Sequence, residues 1–170
     1  MRNPLQAAHG FTPTGNPDLF RDALGRFGTG ITVVTAASER GPVGMTANSF
    51  ASVSLDPPLV LWSPARASRR FEAFRSAEYF AIHVLSERQV QLCRDFVISG
   101  DAFDRTDWIW NEQGVPLIEG CLSRFECRRR AVHDGGDHLI IVGEVAHVTT
   151  TEGEPLLVWR GNLGEFSRGG

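Results

Sequence analysis

From Gly44 to Pro64 the chain reads GMTANSFASVSLDPPLVLWSP, with Thr46, Asn48, Ser49, Ser52 and Ser54 where a core strand would carry Val, Ile or Leu. Polar residues in a strand give up apolar burial, and a flat polar ligand laid against the strand would compensate. Further on, Ser63, Ser68, Arg69 and Arg70 offer hydroxyls and cations near a helix start, where phosphate binds most readily. The bland reading is that Ser and Thr decorate an exposed strand face and that Ser68 caps a helix. Residue chemistry alone leaves the two readings open.

A second group, His133, Asp134, Asp137 and His138, falls within six residues and could be drawn as metal ligands. Strand alternation would scatter these side chains over both faces, and Asp and Gly are turn formers, so a hairpin tip is expected and a metal site is not. Gly25, Gly28 and Gly30 follow a helix and precede a strand, the reverse of the order a dinucleotide fingerprint needs. No Walker sequence and no G-x-S-x-G elbow is present. The three cysteines, Cys93, Cys121 and Cys127, form no C-x-x-C and are odd in number. They argue against a disulfide framework or zinc knuckle and suit a reducing cytoplasm.

The elements that must position these residues are mostly strands. Residues 1–15 read as a flexible N-terminal arm, and residues 16–170 as one domain. Asn16-Pro17 marks a helix start; Leu19, Phe20, Ala23, Leu24 and Phe27 recur at helical spacing, and Gly28 ends the run. A β-branched strand is expected over 31–37, the polar strand next, then Pro57-Pro58 and a strand over 59–62. Helices are expected over 68–76, with Phe71 and Phe74 inward, and over 87–97, with Val90, Cys93 and Val97 inward. Between the two lies a strand over 79–85. The 100–114 segment reads as a polar loop carrying Phe103, Trp108 and Trp110, aromatics that either cover a site or fill a core. Long strands over 121–133 and 138–149 flank Asp134-Gly135-Gly136-Asp137, a strong hairpin signal, and a last strand covers 156–160. Six or seven strands with few helices indicate a barrel or sandwich.

With 170 residues, 42% hydrophobic and 22% charged, the chain has the composition of a soluble globular domain. A formal charge of −3 gives no case for nucleic acid or an anionic membrane surface, and Arg128-Arg129-Arg130 reads as a solvated strand face. No signal peptide and no membrane-spanning run is visible, so a soluble, cytoplasmic protein is expected.

Gly44 to Val60 fits the pattern G-x-T-x-N-S-F-x-S-V-S-x-x-P-P-x-V, and Gly136-Asp137-His138 matches a G-D-H. On these residues the chain resembles the flavin reductase-like family of the FMN-binding split barrel, which includes the NAD(P)H:flavin oxidoreductases of two-component flavin monooxygenases. The resemblance implies a mainly β fold: a six-stranded antiparallel split β-barrel of Greek-key type with flanking helices, in a homodimer. It implies that Thr46, Ala47, Asn48 and Ser49 contact the flavin ring, with Ser52, Val53 and Ser54 on the neighbouring strand. Ser63, Ser68 and Arg69 match positions around ribityl and phosphate, and His138 matches a histidine on the nicotinamide side. Phe166 stands where the family often has tyrosine, which keeps ring stacking without the hydroxyl.

The activity implied is hydride transfer from NADH or NADPH to FMN, or to FAD, with reduced flavin passed to a separate oxygenase. Nicotinamide and flavin would meet at roughly 3–3.5 Å, with the protein supplying geometry and electrostatics. The alternatives are a non-catalytic FMN-binding electron carrier or store, and another split-barrel enzyme using heme, deazaflavin or a B6 vitamer. A shared fold does not choose among them.

Overall fold

The fold is taken from a computed structural model describing residues 10–167; of the expected N-terminal arm, residues 1–9 lie outside the described residues. Helix α1 spans Pro17–Gly25 with proline in its first turn, as the Asn16-Pro17 pair predicts. Asn16 leaves the helix amides uncapped by its side chain and donates instead to the Thr12 carbonyl at 3.0 Å. The two-residue β1 (Thr29–Gly30) leads into β2 (Thr32–Ser38), where β-branched residues favour the extended chain. A turn carries the chain into β3 (Gly41–Ala47), followed by β4 (Ala51–Leu55) and β5 (Pro58–Trp62). Helix α2 (Phe71–Ser76) then precedes β6 (Tyr79–Val84) and α3 (Val90–Ile98). Short strands β7 (Trp108–Trp110) and β8 (Pro116–Ile118) form a separate pair. The long β9 (Ser123–Gly135) and β10 (His138–Thr150) make the hairpin foreseen from Asp-Gly-Gly-Asp. Strands β11 (Leu156–Trp159) and β12 (Asn162–Glu165) join β1 in a three-stranded sheet.

The principal sheet is antiparallel, in the order β3-β2-β6-β9-β10-β5-β4, so it has seven strands rather than six. The extra strand comes from the polar run, which is not one strand but two, β3 and β4, at opposite ends of the sheet. Laid flat, seven strands would hold those ends roughly 29 Å apart. Residues 48–50 must bridge them, and the chain from Ala47 to Ala51 reaches at most about 14 Å. The sheet therefore curls into a barrel whose two edge strands meet at an unpaired seam. Register shifts between Val142 and Gly143, and between Val145 and His147, help bend β10 around the barrel. Gly143 permits that curl: a Cβ there would lie 2.6 Å from the Phe80 ring.

Inside the barrel, Val34, Met45, Trp62, Phe74, Phe80 and Ile141 pack together, with Trp62 set edge-on to Phe74. Phe71 and Phe74 are buried as expected, although α2 begins three residues later than the predicted 68. A second core lies on the outer face of β2, where Ile31 and Val33 meet Leu92, Cys93 and Phe96 of α3. Coverage on both faces explains why β2 is buried continuously from Thr32 to Ala36 rather than in alternation. Cys93 points inward as expected, but Val97 is 60% exposed, because its neighbour Phe96, fully buried, fills the core position in the last turn of α3. Phe103 and Trp108 belong to this second core and Trp110 stands half-exposed beside them, so these aromatics build the outer layer rather than cover the polar run. Among the described residues no helix is long and apolar enough to cross a membrane.

Candidate functional site

Ser49 lies in the three-residue crossing of the seam and latches it to β5: the Ser63 amide donates to Ser49 Oγ at 2.9 Å. Beyond Ser63 the chain docks on the tip of the β9–β10 hairpin. The Leu139 amide donates to the Pro64 carbonyl at 3.1 Å, Ala65 bridges His138, and the Arg66 amide donates to the Asp137 carbonyl at 2.9 Å. The crossing, the 63–66 loop and His138 thus form one continuous hydrogen-bonded surface. No local sequence signal places Ser63 beside both Ser49 and the hairpin.

His138 is partly exposed, and its Nδ1 lies 2.7 Å from Asp137 Oδ1. A carboxylate can only accept, so Nδ1 carries a proton, and Nε2 has no partner among the described residues. The imidazole in turn holds the Asp137 carboxyl below the usual range. Asp134 is lowered too, first by the Gly136 amide and then by Arg66. Both aspartates are engaged within the hairpin tip, in keeping with a turn rather than a ligand set.

The seam residues divide into those the fold uses and those it leaves open. Thr46 Oγ1 donates to the Cys93 carbonyl at 2.8 Å, and the Ala47 carbonyl accepts from Thr32 Oγ1 at 2.8 Å. Asn48 is exposed, and among the described residues its amide has no partner; the Ser52 and Ser54 hydroxyls likewise have none. Val53 is the bulged residue of the β4–β5 pairing and is half-exposed. Ser68 Oγ accepts from the Arg70 amide at 3.2 Å, a local turn bond rather than the expected helix cap, since α2 begins at Phe71 with Arg70 at its N-cap and no side-chain cap.

Arg69 is exposed and unpaired among the described residues, whereas Arg70 is not available for phosphate. Arg70 Nη1 donates to the Gly44 carbonyl at 3.1 Å and the Phe96 carbonyl at 2.5 Å, and Nη2 to the Val97 carbonyl at 3.0 Å. Phe166 follows β12 on the small sheet, with no hydrogen bond or ring contact to the seam among the described residues. A cleft of about 740 Å³ opens beside Arg69, between the β2–β3 turn and Ser99–Asp101, but includes neither Asn48 nor His138. Burial pushes the Cys121 thiol up to about 11 and that of Cys127 to about 12, so neither offers a thiolate nucleophile at neutral pH.

A solvent-open seam with a free amide and free hydroxyls suits a planar polar heterocycle, as the flavin-binding barrels take. Residues 24–167 match the family model described as "Flavin reductase like domain", and the chain belongs to that family. It is 59% identical over 161 residues to FMN reductase (NADH) SmoA of Agrobacterium fabrum, covering 94% of this chain and 92% of that protein. Identity is 41% over 151 residues to HsaB, the reductase subunit of a flavin-dependent monooxygenase of Mycobacterium tuberculosis, covering 86% of this chain and 81% of the relative. Among solved structures, the Streptomyces globisporus C-1027 NADH:FAD oxidoreductase SgcE6 superposes with a TM-score of 0.89 at 36% identity, covering 97% of this chain and 95% of that one. The same oxidoreductase is known in complex with NAD and FAD fragments.

Proposed function

We propose that this chain is an NADH-dependent flavin reductase that passes hydride from the nicotinamide to FMN and releases reduced flavin to a separate oxygenase. The observation that carries the reading is the seam, where the unpartnered groups of Asn48 and Ser52 lie beside the hydrogen-bonded surface that ends in His138. The similarity to an NADH-dependent FMN reductase supports FMN and NADH over FAD and NADPH. Similarity to a monooxygenase reductase subunit supports the oxygenase partner.

The hydride chemistry belongs to the two cofactors when bound. This chain's part is to hold and orient them. Asn48 would bond the ring edge, Ser52 and Ser54 would line the strand beneath it, and Arg69 would face the phosphate. His138 would present Nε2 to the nicotinamide side. The chain from residue 16 onward would act as one reductase domain in the cytoplasm, to which its three free, buried cysteines are suited. It would work as a homodimer, because α1 buries none of its residues within one protomer while Leu19, Phe20 and Leu24 stand exposed on it.

The test is anaerobic oxidation of NADH and NADPH with FMN, with FAD and without flavin, followed near roughly 340 and 450 nm. FMN-dependent NADH oxidation is expected. Flavin binding without turnover would make the chain a carrier or store, and no binding at all would overturn the flavin reading.

A further inference from the structure

Arg66 lies outside the Gly44–Val60 motif and the G-D-H, yet it ties together the two segments that border the seam. Its main-chain amide donates to the Asp137 carbonyl at 2.9 Å, its Nε to the Gly136 carbonyl at 2.9 Å, and its Nη2 to Asp134 Oδ1 at 3.1 Å. All these partners belong to the turn that ends in His138. The Asp134 carboxylate also accepts from the Gly136 amide at 2.9 Å, so side chain and turn are locked as one unit. On its other side the guanidinium lies 5.8 Å from the ring centre of Phe71, a buried wall of the barrel core.

Global stability does not account for this arrangement. The Arg66 and Asp134 side chains are 42% and 80% exposed, and exposed ion pairs add little to folding. Gly136 has a φ of 76°, and a two-residue turn at the end of a long hairpin is the part of it most free to move unless it is tied down. Arg66 supplies the tie, from a core aromatic to the turn.

We propose that Arg66 is the positioning residue for His138, docking the Gly136-Asp137 turn onto the 63–68 loop and so fixing where the imidazole stands beside the seam. The proposal rests on the flavin reductase reading with His138 at the nicotinamide side. Its guanidinium is engaged by the turn, so Arg66 acts through His138 rather than on the flavin phosphate.

The test measures reduction of bound FMN by NADH in anaerobic rapid mixing, for Arg66→Ala, Arg66→Lys, His138→Ala and the Arg66→Ala/His138→Ala double variant. Arg66→Ala is expected to lower the limiting rate on the order of ten- to a hundredfold with FMN affinity unchanged. Arg66→Lys keeps a charge for Asp134 but loses the bond from Nε to Gly136, so it should fall between. The double variant should be no slower than His138→Ala alone. Multiplying losses, or weaker FMN binding with an intact rate, would overturn the proposal and make Arg66 a direct ligand contact. A slow His138→Ala beside a normal Arg66→Ala would remove the proposal and leave the reductase reading standing. A His138→Ala variant at the parent rate would remove both the role of His138 and the proposal. Should Arg66→Ala fail to fold, Asp134→Asn decides the matter: a smaller rate loss, absent from the His138→Ala background, is expected.

Discussion

Asn48 and Thr46 stand two residues apart in the same polar run, and the fold treats them in opposite ways. Thr46 gives its hydroxyl to the Cys93 carbonyl, which ties β3 to α3, while the Asn48 amide has no partner among the described residues. Asn48→Asp keeps the size, removes the amide donor and adds a negative charge. It is expected to weaken FMN binding about tenfold or more, the effect of losing one hydrogen bond and leaving a polar group mismatched. Quenching of flavin fluorescence on titration reads this directly, and unchanged affinity would remove the seam as the flavin site. Thr46→Val is the control from the same run. It should lower stability by about 1 kcal/mol through the lost bond to Cys93 and leave FMN affinity alone. The composition of the run is legible as a departure from an ordinary strand. The division of labour between neighbours is not, because it depends on α3, which lies nearly fifty residues away along the chain.

Helix α2, strand β3 and the end of α3 are knitted together at Gly44 and Arg70. A Cβ at Gly44 would lie 2.3 Å from the Phe96 ring, so the glycine that opens the motif serves packing between β3 and α3. Arg70 gathers the carbonyls of Gly44, Phe96 and Val97 around one guanidinium. Arg70→Met should therefore cost roughly 2 kcal/mol or more, since charge-assisted bonds are lost and carbonyls are left unmatched. FMN affinity should hold in that variant. Arg69→Ala should do the reverse, weakening FMN while leaving riboflavin, which lacks the phosphate, and the melting temperature unmoved. Equal losses for FMN and riboflavin would take Arg69 away from the phosphate. Adjacent arginines look alike in sequence, and only the position of the α3 carbonyls separates them. The same limit explains the polar run: the residues announce extended chain, but nothing in them says that β3 and β4 lie at opposite ends of a sheet. Elements fixed by local chemistry, such as the Pro17 helix start and the Gly136 turn, could be read directly.

At the scale of the molecule, two features concern layers rather than sites. The apolar side of α1 and Phe27, which is 79% exposed, face outward, and a second copy is the proposed cover. Leu24→Glu together with Phe27→Glu should shift sedimentation from dimer to monomer; a parent that is already monomeric would place the dimer contact nowhere. The other feature joins the barrel to its outer layer. His83 is fully buried on β6; its Nδ1 lies 2.9 Å from the Val33 carbonyl, and the Ile118 amide of β8 donates to its Nε2 at 3.0 Å. An amide can only donate, so Nε2 has no hydrogen and the folded imidazole is neutral. Burial lowers its pKa from 6.5 to about 4. Protonation would set two hydrogens against each other at Ile118 and place a charge in the core. The unfolded chain therefore binds this proton first as pH falls. The stability contributed by neutral His83 is full above about 6.5 and is lost progressively as pH drops toward about 4, a span equivalent to roughly 3 kcal/mol. The surface carboxylates held low, Asp22, Asp101, Asp134 and Asp137, act in a different window, because their contributions persist down to the ordinary carboxylate range and fade only below it. Denaturant melts between pH 7 and 4.5 should thus show a falling stability that belongs to His83. A flat profile across that interval would mean that the imidazole keeps an ordinary pKa and that β8 does not hold it as described.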